Sequence, residues 1–302
     1  MQLSSQIVSY DIQVHKLYHW CTLKSIQYLL HNRSTTKSLF GEDYHSKFDT
    51  QVYLQKYADS PDPIRLFPLK HLHEFYQSYK STERKLKILD IGTGPVISYT
   101  ISAAPYASEI VLSEYTEANR KEVLQWVQND PKAHDWTPFL KTVVVDLEGK
   151  SEEEVPVRAE LIRKVIKAVV PCDVTCDPPI PMQYVDRYDV VTSFLCLMSA
   201  CTTREDYMAA LVRLCALLKP GGKIVLYTAE RKESYSSNSS YSVGSQKFFD
   251  LQLSREFIYK SLECAGFCNV KAVVLTRDDL HWTDDKRPEL VAFIFVTACK
   301  MD

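Results

Sequence analysis

Residues 88–95 read ILDIGTGP: an apolar run closes on Asp90 and Ile91, turns on Gly92 and Gly94, and reaches Pro95. A buried strand, a glycine turn and a proline suited to the first helical position predict strand, turn and helix in succession, with the helix starting near Pro95. Glycines let the backbone approach a ligand closely, and a helix N-terminus offers free N–H groups. A dinucleotide site uses the same device as GxGxxG, with pyrophosphate on the helix end. Here Gly94 is followed by Pro95, Val96 and Ile97, so the third glycine is absent. Asp90 is poorly placed for pyrophosphate and suits the ammonium group of a methionine tail.

Outward from this turn the pattern is alternation. The apolar or β-branched runs LKILDIG (86–92), EIVLSEY (109–115), KTVVVDLEG (141–149), YDVVTSFLCL (188–197), GKIVLYTA (222–229), VKAVVLT (270–276) and VAFIFVTA (291–298) are separated mostly by helical patterns. Such alternation predicts a parallel, doubly wound α/β sheet. Between the last two runs lies only the polar stretch RDDLHWTDDKRPEL, too short for a crossover helix, so they are expected to pair antiparallel. The expected fold is therefore Rossmann-like, seven-stranded and mostly parallel, with an antiparallel last strand and an N-terminal helical lid. Residues 1–85 carry helical patterns broken by Pro61, Pro63 and Pro68 and are read as an extension and lid; residues 86–302 are read as the main domain. The Ser-rich stretch SYSSNSSYS (234–242) is expected to be a mobile loop, either an inert linker or a cover for the active site.

In this sheet order, acids at strand ends face the ligand crevice. Glu114, before Tyr115, is placed to accept ribose hydroxyls bidentately. Asp146 and Asp173 each suit an adenine amino group, and the pattern does not choose between them. LLKPGGKIVLY (217–227) reads as a helix end, a structural Pro-Gly-Gly turn and a strand. Asp177-Pro178-Pro179-Ile180 invites comparison with the D-P-P-aromatic motif of amino-methylating DNA enzymes, but position 180 is not aromatic and the segment precedes the fourth strand; a Pro-rich loop is expected.

Composition narrows the classes. With 302 residues, 45% hydrophobic and 25% charged, the chain suits one large globular unit. The 36 Lys and Arg against 38 Asp and Glu leave a net charge of -2, with no overall positive field for a phosphate backbone, so nucleic acid is not an expected partner. The nine cysteines form no CxxC pair and the eight histidines no HExxH cluster, which predicts free thiols in a reducing compartment and no metal. No apolar run approaches the roughly 20 residues of a membrane span. Residues 12–41 carry Lys16, Lys24, Arg33 and Lys37 with no Asp or Glu, a bias shared with mitochondrial transit peptides; Asp11, Trp20 and the tyrosines fit an ordinary N-terminal helix and a cytoplasmic protein better.

ILDIGTGP, SEYTEANRKEVLQWVQNDPKAHDWTP, VVDLEG, CDVT, LLKPGG and SQKF occur together and in this order. Over roughly residues 48–300 the chain resembles the nicotinamide, phenylethanolamine and indolethylamine N-methyltransferase family. The resemblance implies S-adenosylmethionine as cofactor, S-adenosylhomocysteine as product, no metal, a monomer, and a small-molecule amine or pyridine as acceptor. It places Tyr53 and Tyr57 in the lid, Gly92, Thr93 and Gly94 on the methionine part, and Glu114, Tyr115 and Asn119 around ribose and adenine. Asp173 and Val174 would take the adenine edge, and Phe194 would border the cofactor. Tyr241, Thr228 and Met198 are implied on the acceptor side, with Tyr53 and Asp250 as the catalytic candidates. Glu230 and the Asp284-Asp285 pair are further candidate carboxylates. Glu114 stands where the family usually has Asp, and Met198 and Thr228 stand where members carry acids. The acceptor is therefore left open between nicotinamide-like and arylalkylamine-like compounds. The readings from other classes are a nicotinamide-dependent oxidoreductase, disfavoured by the missing glycine, and a catalytically silent protein that binds S-adenosylmethionine.

Overall fold

A computed structural model describes residues 38–232, 239–282 and 289–301. Its centre is a seven-stranded sheet in the order β3-β2-β1-β4-β5-β9-β8. The strands are β1 (Leu86–Ile91), β2 (Ala107–Glu114), β3 (Ile166–Pro171), β4 (Tyr188–Phe194), β5 (Leu218–Arg231), β8 (Phe267–Thr276) and β9 (Leu290–Lys300). β1 to β5 run parallel, whereas β9 lies antiparallel between β5 and β8. The expected fold class is observed, down to the antiparallel last strand.

β1 and β4 are almost wholly buried because helices cover both faces of the sheet, which is why they read as continuous apolar runs. Leu89, Leu112, Val190, Val191, Ile224 and Ile294 form the centre of the core. Chain order reverses between β1 and β4, and the crevice outside their carboxyl ends is where such sheets bind ligands.

The third strand is a correction. KTVVVDLEG is helical: Thr137–Lys141 is an α-helix that continues as a π-helical turn over Thr142–Leu147. Val143 and Val144 are fully buried there, against the helices Pro63–Gln77 and Glu154–Val165, so tertiary packing overrides their β-propensity. The true β3 is IKAVVP, which follows the helix Glu154–Val165 without a break. Arg158 of that helix holds both carboxylate oxygens of Glu148 at 2.8 and 2.7 Å and fixes the turn between the two helices.

Before the sheet come the helices Asp43–Lys47, Thr50–Tyr57 and Pro63–Gln77, the last two capped by Asp49 and Asp62. Pro61 separates helices and Pro63 opens one, but Pro68 lies inside a continuous helix and does not break it. A proline leaves the carbonyl four residues earlier without its helical donor. That carbonyl belongs to Ile64, and the Tyr227 hydroxyl of β5 donates to it at 2.8 Å.

The Ser-rich stretch is only partly as expected. Residues 234–238 lie outside the described residues, while Ser239–Val243 forms β6, paired antiparallel with β7 (Gln246–Asp250). Leu39 bridges to Phe248 and adds a third chain to this hairpin, with Leu39 N donating to Lys247 O at 2.9 Å and Phe249 N donating to Leu39 O at 2.8 Å. Asp177-Pro178-Pro179-Ile180 is a loop, as read.

Candidate active site

The glycine turn is built differently from expectation. No helix starts at Pro95; two short 3-10 turns, Ser98–Thr100 and Ala104–Tyr106, follow instead. Gly92 N and Thr93 N both donate to Ser113 O at 2.9 Å, and Gly94 N donates to the Glu114 carboxylate at 2.9 Å. The turn's amides are therefore consumed within the protein and leave no cradle for a pyrophosphate. Gly92 and Gly94 have φ of +70° and +61°, the left-handed region that favours glycine. A Cβ on Gly92 would lie 2.0 Å from Cys196 Sγ, whereas one on Gly94 would meet nothing within 4 Å. Gly92 is thus a packing requirement, and Gly94 opens onto free space.

Asp90 does not reach that space. Its carboxylate accepts hydrogen bonds from the Thr93 and Thr192 hydroxyls under the turn, and burial pushes its pKa up to about 6. Asp90 is not among the residues that line the cavity.

A cavity of about 570 Å³ opens at the carboxyl ends of the strands. All of Tyr53, Tyr57, Gly92, Thr93, Gly94, Glu114, Tyr115, Asn119, Asp173, Val174 and Phe194 line it. Glu114 ends β2 and is 6% exposed. Its Oε1 accepts from Thr116 N, Thr116 Oγ1 and Asn119 Nδ2 at 2.9, 3.1 and 3.1 Å, while Oε2 takes Gly94 N. Oε2 keeps acceptor capacity and Oε1 has little left, so Glu114 offers one free oxygen to an incoming donor. Because β3 is Ile166–Pro171, Cys172–Thr175 lies at a strand end, and Asp173, not the exposed Asp146, faces the cavity. Asp173 is oriented by the Thr175 amide and hydroxyl at 2.9 and 2.6 Å. Phe194 stacks on Tyr99 with ring centres 4.2 Å apart.

The opposite wall joins the N-terminal helices to the hairpin. The Tyr44 and Tyr241 hydroxyls share a hydrogen bond of 2.9 Å, and Tyr57 donates to Ser242 O at 2.9 Å. Tyr53 packs between Phe48 and Tyr57, with ring centres 5.3 and 5.0 Å away. Burial pushes the Tyr53 phenol up to about 12, so it remains protonated at neutral pH and is no base.

On the acceptor side Met198, Tyr241 and Asp250 line the cavity, but Thr228 does not; its buried hydroxyl donates to Met198 Sδ at 3.6 Å. Thr228 supports the wall from behind. Glu230 is bound by Arg255 at 2.5 Å and is not a lining residue. Asp284 and Asp285 lie outside the described residues. Asp250 accepts from Ser199 Oγ at 2.6 Å and from Arg231 Nη2 at 2.7 Å, and Arg231 also reaches Glu289 at 3.2 Å. Tyr44, Arg65, Ser199, Arg231 and Phe293 line the cavity without having been singled out in the sequence. Arg231 left one signal there: a charged residue ending the apolar run of β5. Among the described residues no three His, Cys, Asp or Glu side chains could hold a metal, eight cysteines are free thiols, and no helix is long and apolar enough to cross a membrane.

The chain is similar to known N-methyltransferases. Human nicotinamide N-methyltransferase is 35% identical over 232 residues, covering 75% of this chain and 84% of that protein. Mouse indolethylamine N-methyltransferase is 34% identical over 237 residues, 76% and 85% of the two chains, and rat phenylethanolamine N-methyltransferase is 25% identical over 74% and 78%. Among solved structures, magnesium protoporphyrin IX methyltransferase from Synechocystis PCC 6803 with bound SAM aligns with a TM-score of 0.52 at 13% identity, over 88% of this chain and 100% of that one, a likeness of fold. The model of the NNMT/PNMT/TEMT family matches residues 36–298, so nearly all of the described structure falls within one family, and the chain belongs to it.

Proposed function

We propose that this member of an N-methyltransferase family transfers the methyl group of S-adenosylmethionine to a nitrogen of a small-molecule amine or pyridine, releasing S-adenosylhomocysteine. The observation that carries the reading is the convergence of Gly94, Glu114, Asn119, Asp173, Val174 and Phe194 on one cavity whose lining also includes Tyr53, Tyr57 and Tyr241. The residues fit the cofactor. Gly94 opens onto free space, Glu114 Oε2 has an acceptor site left for a ribose hydroxyl, and the consumed turn amides suit a ligand without phosphates. Asp173 and Val174 border the adenine edge, and Tyr115, Asn119 and Phe194 complete the surround.

When bound, the sulfonium supplies an activated methyl group and a neutral thioether as leaving group. No covalent nucleophile on the protein is required. The chain's contribution is alignment and exclusion of water. Tyr53, Tyr57 and Tyr241 present aromatic faces to a cationic or aromatic partner, each good contact contributing about 0.5–2 kcal/mol. Both catalytic candidates line the cavity, Tyr53 as part of the aromatic wall and Asp250 as the carboxylate on the acceptor side, held by Arg231. Residues 38–57 and the hairpin Ser239–Asp250 act together as a lid, with residues 86–302 as the methyltransferase domain. The balanced charge supports a small molecule over nucleic acid, and we assign a cytoplasmic monomer.

The test is calorimetric titration with S-adenosylhomocysteine, followed by its release from S-adenosylmethionine across a panel of pyridines, phenylethanolamines and indolethylamines. Binding with a methylated product from one class is the expected result. Binding without product from any member would indicate a silent cofactor-binding protein, and no binding would overturn the site.

A further inference from the structure

The carboxylates lining the cavity are Asp62, Glu114, Asp173 and Asp250, and each is already engaged. Asp62 holds Arg65 and caps its helix. Glu114 takes four donors, and Asp173 takes Thr175 and Cys176. Asp250, the one on the acceptor side, pairs with Arg231 at 2.7 Å with side-chain exposures of 5% and 4%. Further charged groups lie around this pair. Arg231 stands opposite Leu290 in the sheet, Arg277 Nη1 reaches Leu290 O at 3.5 Å, and Glu289 lies 3.2 Å from Arg231. Arg231 therefore meets two carboxylates, Asp250 and Glu289, and Arg277 reaches the backbone at the start of β9. Groups facing Asp250 among the described residues include the Ser199 hydroxyl, the Tyr44 and Tyr241 phenols and, near Tyr44, the Cys196 thiol. Burial pushes both phenols and the thiol up, so all three are neutral at neutral pH.

We propose that Arg231 determines acceptor class: by pairing with Asp250 it removes the negative field and the base that an alkylammonium needs, selecting a heteroaromatic nitrogen that is uncharged at neutral pH. This inference rests on the methyl-transfer reading above. An alkylamine arrives with its lone pair bonded to a proton, which a carboxylate or a carboxylate-held water must take before in-line attack. Taking it would cost the buried guanidinium its 2.7 Å partner and leave it Glu289 at 3.2 Å, so the Arg231 pair opposes proton transfer to Asp250. A heteroaromatic nitrogen already offers its lone pair, and the aromatic wall receives its ring edge or face. Removing Arg231 leaves a buried carboxylate that attracts the ammonium and accepts its proton.

The experiment uses the full chain with saturating S-adenosylmethionine and follows S-adenosylhomocysteine release with 4-phenylpyridine and with 2-phenylethylamine between about pH 6 and pH 9. For the native protein, kcat/KM for the pyridine is expected to be flat, and that for the amine to fall about tenfold per pH unit below the amine's own pKa. Arg231→Met is expected to raise the amine-to-pyridine ratio at pH 7 by about tenfold or more, and Arg231→Lys to keep the native preference. Equal use of both probes at pH 7 without a pH slope overturns the inference, as does an unchanged ratio in an Arg231→Met protein that still binds S-adenosylhomocysteine. If that variant does not fold, the native pH slope decides alone. No product from either probe, nor from any nitrogen acceptor, overturns the methyl-transfer reading and this inference with it.

Discussion

Asp90 carries a cost that the glycine turn depends on. Its folded pKa is raised by burial to about 6 from an ordinary value near 3.8, so the native state binds its proton more tightly than the unfolded chain does. The associated stability is fully present below the unfolded value and is lost as pH rises through the folded one. Between pH 5 and pH 7.5 the native protein is expected to lose about 1–2 kcal/mol relative to Asp90→Asn, measured by urea unfolding of both at each pH. The two glycines separate packing from binding. Gly92→Ala forces a Cβ to 2.0 Å from Cys196 Sγ at positive φ and is expected to cost about 2–4 kcal/mol of stability. Gly94→Ala, with open space ahead of it, is expected to cost only about 1 kcal/mol in unfolding while weakening S-adenosylhomocysteine binding about tenfold or more. At this scale the sequence located the turn but not its chemistry. The spacing of Gly92, Gly94 and Glu114 is visible in a string of letters, whereas the commitment of the turn's amides to Ser113 O and Glu114 depends on how β1 and β2 pair.

Elements were legible wherever periodicity and burial agree. β1, β2, β4, β5, β8 and β9 all fall on runs that the alternation marks. Strand three did not, because TVVVDL and IKAVVP are both short β-branched runs and only their partners distinguish them: the first is buried between helices, the second pairs with β2 at the sheet edge. The Ser-rich hairpin was hidden for a related reason. β6 and β7 owe their pairing to Phe248 packed against Tyr44, Phe48 and Tyr241, and to Leu39, far away in sequence. Leu39→Pro removes the N–H given to Lys247 O and tests whether this strap holds the lid. Faster hydrogen exchange at the Phe249 amide and about fivefold weaker S-adenosylhomocysteine binding are expected, the loss of one hydrogen bond of about 1 kcal/mol. Unchanged exchange and affinity would detach the strap from the lid.

Across the whole molecule, one topological fact positions the chemistry: the reversal of chain order between β1 and β4 gathers residues from the ends of five parallel strands into one cavity. Gly92, Gly94, Glu114 and Phe194 were legible because they sit at the ends of strands that alternation finds, whereas Asp173 could not be separated from Asp146 until β3 was located. The acceptor wall was not legible, because Arg231, Ser199, Asp250 and Tyr44 come together through the hairpin and an ion pair that no local pattern encodes. The most direct measurement follows a labelled methyl group: S-adenosylmethionine carrying a carbon-13 methyl is incubated with the full chain and 4-phenylpyridine, and the product is read by NMR. The expected result is a new N-methyl resonance on the acceptor that grows in step with S-adenosylhomocysteine. Label that stays on the sulfonium with every nitrogen acceptor offered, while the protein binds cofactor, would contradict the assignment.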